Sequence, residues 1–370
     1  MCACLRGCFL SLLSDLYRTL TSKEFETGRH VAKLLKSYND GAIVVTEGVA
    51  TTGVIGYVYG TGPKSSAYER YCIMFRADMD GLPVQEIPTK FNADYRSRNA
   101  GVMHACGHDG HMTMLLAAAK LLSSPEGRAT YPSNMCIKFC FQPAEEDQGG
   151  APVMISEGVL EDDFEHGGKV QRRTGPRVDE VYGIHLWSYM PYGQIGMRPG
   201  PMMAATDQFY ITIKGVGGHG AVPQGTRDAI ICGAHLVTQL QTIISRNVAP
   251  LDAGVVTVGT FNAGTTTNVI ADRADISGTV RSLRSSVQEL IQTRISEICQ
   301  GVGQTYGCEV SLKYVYGYPA TVNHSEAVRI VERAAKKVVG RSNPDAVVVD
   351  MTPTMGAEDF SFFLNSRPVS

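Results

Sequence analysis

The sequence predicts an α/β fold made of two domains, one inserted into the other. Its length of 370 residues is large for a single hydrophobic core. Short β-rich apolar runs alternate with helical patterns from residue 41 to residue 350, as is typical of a central sheet that is buried on both faces. Between residues 207 and 319 the order of the predicted elements changes, which indicates the inserted domain.

The first domain, residues 1–204 and 318–370, is expected to contain a central mixed, mostly parallel sheet. Runs of branched and aromatic residues predict its strands at 42–45, 54–59, 71–77, 135–141, 180–185 and 346–350. Helical periodicity predicts helices at 25–38, 112–122 and 326–339. We expect Gly340 to end the last helix in the left-handed conformation.

The inserted domain, residues 205–317, follows from the order strand, helix, strand, strand, helix, strand. Its strands are expected at 208–216, 255–261, 272–280 and 309–316, and its helices at 228–245 and 287–302. Ser286 and Glu289 are expected to cap the second helix. A βαββαβ order is typical of a ferredoxin-like domain. Pro and Gly residues at 198–201 and 317–319 are candidate hinges.

Composition argues against several classes of function. There are 34 Lys and Arg against 36 Asp and Glu, and no long run of like charge, so no nucleic-acid partner is predicted. No apolar run approaches the roughly 20 residues of a membrane span. The ten cysteines lack the spacing of a disulfide framework, which favours a cytoplasmic location. Residues 1–13 are interpreted as part of a terminal helix, with a weak targeting or lipidation signal as the alternative.

Polar side chains collect where predicted strands end. Asp78 and Asp80 follow the third strand, Glu145 and Glu146 follow the fourth, and His185 ends the fifth. Because open α/β sheets bind ligands at the carboxyl ends of their strands, we expect a site there. One of the adjacent glutamates can bind a metal ion while the other acts as a general base. A solvated acidic turn is the alternative. The aspartates can be ligands or can hold a ligand's ring.

The segment at residues 103–111 is the strongest metal-binding signal. A single glycine separates Cys106 from His108, so both side chains can bind one metal ion or bridge two. A thiolate beside imidazole and carboxylate favours zinc or another divalent transition metal over calcium or magnesium. An isolated Cys or His is more often a packing residue, but this segment holds three His and a Cys among glycines. Further along, His219 lies in a glycine-rich loop from which it can donate to an oxyanion.

Taken in order, these motifs resemble those of the N-acyl-amino-acid amidohydrolases, which include hippurate hydrolase, the plant auxin-conjugate hydrolases and bacterial aminoacylase-carboxypeptidases. The resemblance rests on residues 76–83, 103–111, 142–146, 217–223, 263–265, 268–270 and 356–361. It implies a zinc-peptidase-like catalytic domain with two adjacent divalent metal ions (Zn, Mn, Co or Ni). It also implies a ferredoxin-like lid domain that often forms a homodimer.

The resemblance further implies a set of metal ligands. Cys106 corresponds to the thiolate that bridges the two metal ions. His108, Glu146 and His185 correspond to terminal ligands, and Glu145 corresponds to the general base.

Three more residues take roles from the resemblance. Asp80 is similar to a carboxylate that lies behind a ligand. His219 is similar to the lid histidine that steadies the tetrahedral intermediate, often in the site of the partner subunit. Asn268 is similar to a lid residue that helps to hold the substrate. The implied reaction is metal-dependent hydrolysis of the amide bond of a small N-acyl amino acid.

Two other functions stay open at this point. Relatives carry a last metal-binding histidine beyond the match to residues 356–361, whereas the last histidine here is His324. A metal-binding or dimeric homologue with impaired catalysis is therefore an alternative. A thiol enzyme with Cys106 as nucleophile is a weaker one, because it leaves Glu145 and Glu146 without a role.

Overall fold

The structure is a computed structural model, and it describes residues 24–90, 92–93, 95–146, 149–162, 164–166, 169–172, 174–340 and 343–366. The chain divides into two compact units, residues 1–194 with 362–370 and residues 195–361. The expected terminal helix or targeting signal in residues 1–13 lies outside the described residues. Across the described part of the chain, no helix combines the length and the apolar character that a membrane span requires.

The first unit alternates helices and strands. Its helices are α1 (Phe25–Ser37), α2 (His108–Leu122), α3 (Pro125–Arg128) and α4 (Gly150–Ser156). Its strands are β1 (Val44–Val49), β2 (Gly53–Tyr59), β3 (Tyr71–Asp78), β4 (Met135–Gln142), β5 (Phe164–His166), β6 (Lys169–Arg172) and β7 (Glu180–Gly183).

Five of these strands form one sheet in the order β1-β2-β4-β3-β7. The pairings β1–β2 and β2–β4 are antiparallel, and β4–β3 and β3–β7 are parallel. The predicted mixed central sheet is therefore confirmed, but it is half parallel, at β4, β3 and β7, rather than mostly parallel. The strand predicted at 346–350 forms at Val347–Val349 but lies outside this sheet. Helices α1 and α2 bury Leu35 and Leu116 against Phe139 of β4. Burying a side chain of this kind contributes about 1.5–3 kcal/mol.

The second unit contains the βαββαβ order that the sequence predicts. Its strands are β8 (Ile195–Met197), β9 (Gly200–Met203), β10 (Ala205–Lys214), β11 (Gly218–His219), β12 (Gly254–Ala263), β13 (Val269–Ile270), β14 (Arg273–Ser282), β15 (Glu309–Tyr316), β16 (Thr321–Asn323) and β17 (Val347–Val349). Its helices are α5 (Ala229–Thr242), which continues as a π-helical turn (Ile243–Asn247), α6 (Ser285–Tyr306) and α7 (Ser325–Val338). A short helix α8 (Ser361–Ser366) spans the boundary between the units.

Strands β12, β14, β10 and β15 form an antiparallel sheet in that order. Helices α5 and α6 contribute Leu236, Leu240, Ile291 and Ile295 to the same core as Phe209 of β10. The compact unit contains the whole of the predicted domain 205–317 together with short strand pairs on either side. The domain boundaries themselves stay a prediction.

Two local expectations are wrong. Gly340 does not take the left-handed conformation, and α7 ends with the N–H of Val339 bonded to the carbonyl of Ala335. A Cβ at Gly340 would lie 2.9 Å from the Cα of Lys336, so this glycine permits a close backbone approach. The cap of α6 is Arg284, with no side-chain cap bond, rather than Ser286. Helix α6 therefore begins at Ser285, two residues before the start that the capping pattern predicts.

Candidate metal centre

The parallel half of the first sheet brings the predicted site residues to one edge. Asp78 ends β3, Glu145 and Glu146 follow β4, and His185 follows β7. Because β3 pairs in parallel with both β4 and β7, the carboxyl ends of these strands lie side by side. Helix α2 begins at His108, four residues before its apolar pattern. Gly107 makes this early start possible, since its φ of 89° is strained for other residues.

Cys106, His108 and His185 converge in this edge. Each offers one ligand atom, and these atoms lie within 4.8 Å of one another. The Sγ of Cys106 is 3.4 Å from Nε2 of His185. His108, Glu145 and Glu146 form a second group that meets the same distance limit. The structure thus brings the three other predicted ligands and the predicted base close to His108.

Asp80 orients both His108 and Glu146. The Nδ1 of His108 lies 3.0 Å from the carbonyl oxygen of Asp80 and 3.1 Å from its Oδ1. The N–H of Glu146 donates to Oδ2 of Asp80 at 3.0 Å. A hydrogen bond at Nδ1 leaves Nε2 of His108 3.5 Å from Oδ2 of Asp78 and 3.7 Å from Oε1 of Glu146. Asp80 therefore lies behind the donor atoms of both side chains.

The donor atoms of His108 and Glu146 fit a bound cation. Nε2 of His108 and Oε1 of Glu146 are buried, and neither has a hydrogen-bond partner among the described residues. Leaving a buried polar atom without a partner costs about 1–3 kcal/mol. A cation held between a thiolate, two imidazoles and a carboxylate would satisfy both atoms. This mixed set of ligands suits a divalent transition metal.

The electrostatics at this edge of the sheet also favour a bound cation. Burial lowers the pKa of His108, but the nearby charge of Asp78 and the hydrogen bond with Asp80 outweigh it and raise this pKa to about 12. Burial raises the pKa of Glu146. The interaction with His108 lowers the pKa of Cys106, yet burial and the charge of Glu146 leave it raised. The cluster of carboxylates therefore favours a positive charge at its centre, and a metal ion would supply one.

The turn that carries Glu145 and Glu146 is held rigidly. Ala144 has a positive φ of 56°, which is strained for a residue with a side chain. Its N–H donates to Oε1 of Glu24 at 3.3 Å, and its carbonyl accepts from Gly150 at 2.9 Å. Glu24 is fully buried and also accepts from the hydroxyl of Thr52 at 2.7 Å. Glu145 itself is only 5 % exposed, which argues against a solvated acidic turn.

His185 is oriented by its own loop. Its Nδ1 lies 2.7 Å from the carbonyl oxygen of Leu186, and its ring stacks on that of Trp187, with centroids 4.2 Å apart. The bond at Nδ1 leaves Nε2 facing Cys106. A histidine that ligates a metal ion typically makes such a hydrogen bond with its other ring nitrogen.

Asp78 and His111 also lie within 4.8 Å of His108, as a third group of possible ligands. They are already bonded to each other, because Nδ1 of His111 lies 2.6 Å from Oδ1 of Asp78. The other oxygen of Asp78 accepts from Arg76 at 2.8 Å. These two side chains are therefore better placed to support the centre than to bind a metal ion.

His219 and Asn268 belong to the second unit, where they lie close together. His219 pairs with Val269 across β11 and β13, and the N–H of Gly220 donates to the carbonyl of Asn268 at 2.8 Å. The N–H of Ala221 donates to Nδ1 of His219 at 3.1 Å. Since this nitrogen accepts, a neutral His219 carries its proton on Nε2. Both side chains are exposed.

Comparison with known proteins identifies the family. The profile of peptidase family M20/M25/M40 matches residues 74–370. The chain belongs to this family. Its M20 relatives include the hippurate hydrolase of Campylobacter jejuni, which is 37 % identical over 347 residues, covering 93 % of this chain and 81 % of the relative. The N-acetyldiaminopimelate deacetylase of Streptococcus thermophilus is 33 % identical over 348 residues, covering 94 % and 83 %.

A solved structure supports the same assignment. The Bacillus subtilis YxeP protein, described as a dinuclear metal-binding peptidase of the M20 family, has a TM-score of 0.77 and 27 % identity. The match covers 98 % of this chain and 86 % of that one. The predicted resemblance is confirmed, and this M20 member is a metal-dependent hydrolase of amide bonds.

Sequence reasoning missed several supporting residues of this M20 centre. Glu24 and the peptide of Leu186 carry no motif, and only the folded chain brings them to the site. His111 lies inside the histidine-rich segment, so its presence was visible, but its bond to Asp78 depends on how α2 packs beside β3. These contacts join residues that are 33 to 120 positions apart, and the sequence carries no local signal for them.

Proposed function

We propose that this M20 member hydrolyses the amide bond of small N-acyl amino acids and so releases the acyl group from the amino acid. The observation that carries the proposal is the convergence of Cys106, His108, Glu146 and His185 beside the buried Glu145. Relatives named hippurate hydrolase and N-acetyldiaminopimelate deacetylase support the same class of substrate.

In this proposal the four converging side chains hold two divalent metal ions. Cys106, His108, Glu146 and His185 would hold the ions, with the Cys106 thiolate shared between them as the resemblance implies. Such ions polarise the amide carbonyl and lower the pKa of a water molecule to about 7. Zn, Mn, Co and Ni all suit this set of donors. Asp80 keeps the His108 ring and the Glu146 backbone in place while the substrate reacts.

Glu145 is the proposed general base. It accepts a proton from the attacking water and returns that proton to the leaving amine, so that atoms and charge balance over the cycle. Glu24 supports this role, since its carboxylate holds the peptide of Ala144 directly before Glu145. The buried turn thereby limits the positions that the Glu145 carboxylate can take.

The second unit supplies the proposed oxyanion donor. The proton on Nε2 of His219 is available for a hydrogen bond to the oxygen that becomes negative in the tetrahedral intermediate. Asn268 lies next to His219 and is proposed to help hold the substrate. We further propose that the second unit is a lid that joins two copies of the chain, with His219 acting in its own chain or in the second copy.

Metal analysis combined with a hydrolysis assay tests this function. The purified full chain is loaded with Zn²⁺ or Mn²⁺, its metal content is counted, and N-acetyl and N-benzoyl amino acids are offered as substrates. We expect about two ions per chain, hydrolysis of at least one substrate, and loss of hydrolysis with a chelator. Bound metal without hydrolysis would favour the impaired homologue instead.

A thiol mechanism makes the opposite prediction for the chelator. An enzyme with Cys106 as its nucleophile keeps its activity when metal is removed, because no metal takes part. The raised pKa of Cys106 argues against this mechanism, since an activated nucleophile needs a lowered pKa. Chelator-resistant hydrolysis that is lost in Cys106→Ala would overturn the metal-dependent proposal.

A further inference from the structure

We propose that His111 is a positioning residue that sets the orientation of His185 through the backbone of Leu186. The inference rests on the proposed role of His185 as a metal ligand, and it adds a group that acts on that ligand from behind. His111 lies in the first turn of α2 and is 2 % exposed. The three residues belong to two different segments of the first unit, so their contact depends on the fold.

Both ring nitrogens of His111 are in use. The N–H of Leu186 donates to Nε2 at 2.8 Å, and Nδ1 lies 2.6 Å from Oδ1 of Asp78. A backbone N–H can only donate, so Nε2 accepts and the ring proton is on Nδ1, where Asp78 accepts it. With the lone pair of Nε2 used in this way, His111 has no nitrogen to offer to a metal ion.

Asp78 anchors the ring from the sheet. Its carboxylate is fully buried, and it also accepts from Nη1 of Arg76 at 2.8 Å. Nε of Arg76 in turn donates to Oε1 of Gln142 at 2.8 Å. The chain of hydrogen bonds thus runs from β4 through β3 to α2 and ends on the loop after β7. His111 connects the sheet to this loop and so restrains the position of the loop.

The peptide groups of Leu186 connect His111 to His185. Its N–H is bonded to His111, and its carbonyl oxygen lies 2.7 Å from Nδ1 of His185. The Nδ1 contact fixes the ring so that Nε2 lies 3.4 Å from the Sγ of Cys106. A rotation of the Leu186 peptide would therefore turn the His185 ring away from the thiol.

The side chain of Leu186 is seated on glycines rather than buried. A Cβ at Gly110 would lie 2.4 Å from Cδ1 of Leu186, and one at Gly107 would lie 3.3 Å from its Cβ. Leu186 is 45 % exposed, so burial alone contributes little to its position. The His111 hydrogen bond and the close fit on Gly110 therefore give two independent ways to disturb His185.

Trp187 provides a direct reporter. It is the single tryptophan of the chain, and its ring stacks on that of His185 with an interplanar angle of 24°. Its emission and its accessibility to acrylamide therefore respond to the orientation of the His185 ring. This signal exists in the metal-free protein and does not depend on turnover.

The experiment compares His111→Asn with His111→Gln in the full chain. The Gln amide reaches the position of Nε2 and can accept from the N–H of Leu186, whereas the Asn amide reaches only the position of Nδ1. We expect His111→Asn to weaken Zn²⁺ or Mn²⁺ binding by about 10- to 100-fold and to increase acrylamide quenching of Trp187. His111→Gln is expected to keep both close to wild type.

Gly110→Ala is the second variant, because it displaces Leu186 without altering the ring of His111. It is expected to change Trp187 quenching in the same direction, and it keeps the test decisive if His111→Asn does not fold. Folding of each variant is checked by circular dichroism. His235→Asn is the matched control, since His235 lies on α5 of the second unit, and it should change neither readout.

The possible results separate this inference from the proposed function. Wild-type metal affinity and unchanged Trp187 quenching in a folded His111→Asn would overturn the positioning role. Equal damage from Asn and Gln would also overturn it, because the contact with Leu186 would then not be the one that matters. Failure of the wild-type chain to bind metal would overturn the proposed function, while Trp187 quenching in the metal-free variants would still decide the role of His111.

Discussion

The candidate metal centre of the first unit and the His219–Asn268 segment of the second unit differ in how firmly the chain holds them. At the metal centre, His108 and Asp80 are buried and bonded to each other, and Asp80 also binds the backbone of Glu146. His219 and Asn268 are exposed and lie on a two-residue strand pair and the loop beside it. The fold itself holds the first group of side chains in place, whereas the second lies on an exposed ribbon, the short pair of strands β11 and β13.

The two regions therefore differ in when their side chains lose conformational freedom. A buried centre whose side chains are held from behind by hydrogen bonds has little side-chain freedom left, so its donor atoms are in position before a ligand arrives. An exposed histidine loses freedom only when it contacts the substrate, and that loss reduces the net gain from the contact. Substitutions in the two regions should therefore differ in which measured quantity they change.

The largest expected effect is that of Glu145→Gln in the buried centre. Gln cannot take the proton from water, so kcat should fall by about 10²- to 10⁴-fold. Metal content should stay unchanged, because Glu145 is proposed as a base and not as a ligand. Turnover and metal content are measured on the same preparation. A variant that keeps near wild-type turnover would contradict the assignment of the base.

The next effect is that of His219→Ala in the exposed ribbon. Removal of an oxyanion donor should lower kcat by about 10²- to 10³-fold. Metal affinity and thermal stability should not change, because the side chain is exposed and lies in the other unit. A loss of bound metal in this variant would show that the two regions are not independent.

A smaller effect is expected for Asp80→Asn. The amide keeps the shape of the side chain but removes the charge that orients His108 and the N–H of Glu146. Metal affinity should fall by about 10- to 100-fold, measured by titration with Zn²⁺ or Mn²⁺. His324→Asn, in the second unit, serves as a control. Unchanged affinity in Asp80→Asn would mean that packing alone orients the ligands.

The smallest effect concerns the stability of the second unit. The side chain of Asp228 caps α5 by accepting from the N–H groups of Ile230 and Ile231 at 2.8 and 3.2 Å. Asp228→Ala should lower the free energy of unfolding by about 1 kcal/mol, measured by denaturant titration. Metal binding should be unaffected. A weaker metal affinity would argue that the stability of the second unit influences the centre.

Sequence patterns predicted the longer helices and strands because hydrophobic periodicity is a local property, but they missed short strands such as β5, β6, β8 and β9. The strand at residues 309–316 and the start of the strand at residue 71 agree with the structure to the residue. Helix α2 begins at His108, earlier than the start at residue 112 that the apolar pattern predicts, because the polar residues 108–111 are helical without being part of that pattern. The expected cap by Gly340 failed, since that glycine is required by close backbone packing and not by its φ angle.

The sequence by itself determined which chemical groups stand at the strand ends: a thiol, imidazoles and carboxylates, in motifs that identify an M20 hydrolase. Only the tertiary structure decided how these groups are held. Asp80 rather than Asp78 lies behind His108 and Glu146, Glu24 supports the turn before Glu145, and the peptide of Leu186 connects His111 to His185. The physical reason is that donor chemistry belongs to each residue type, whereas hydrogen bonds between distant segments arise only when strands pair and helices pack.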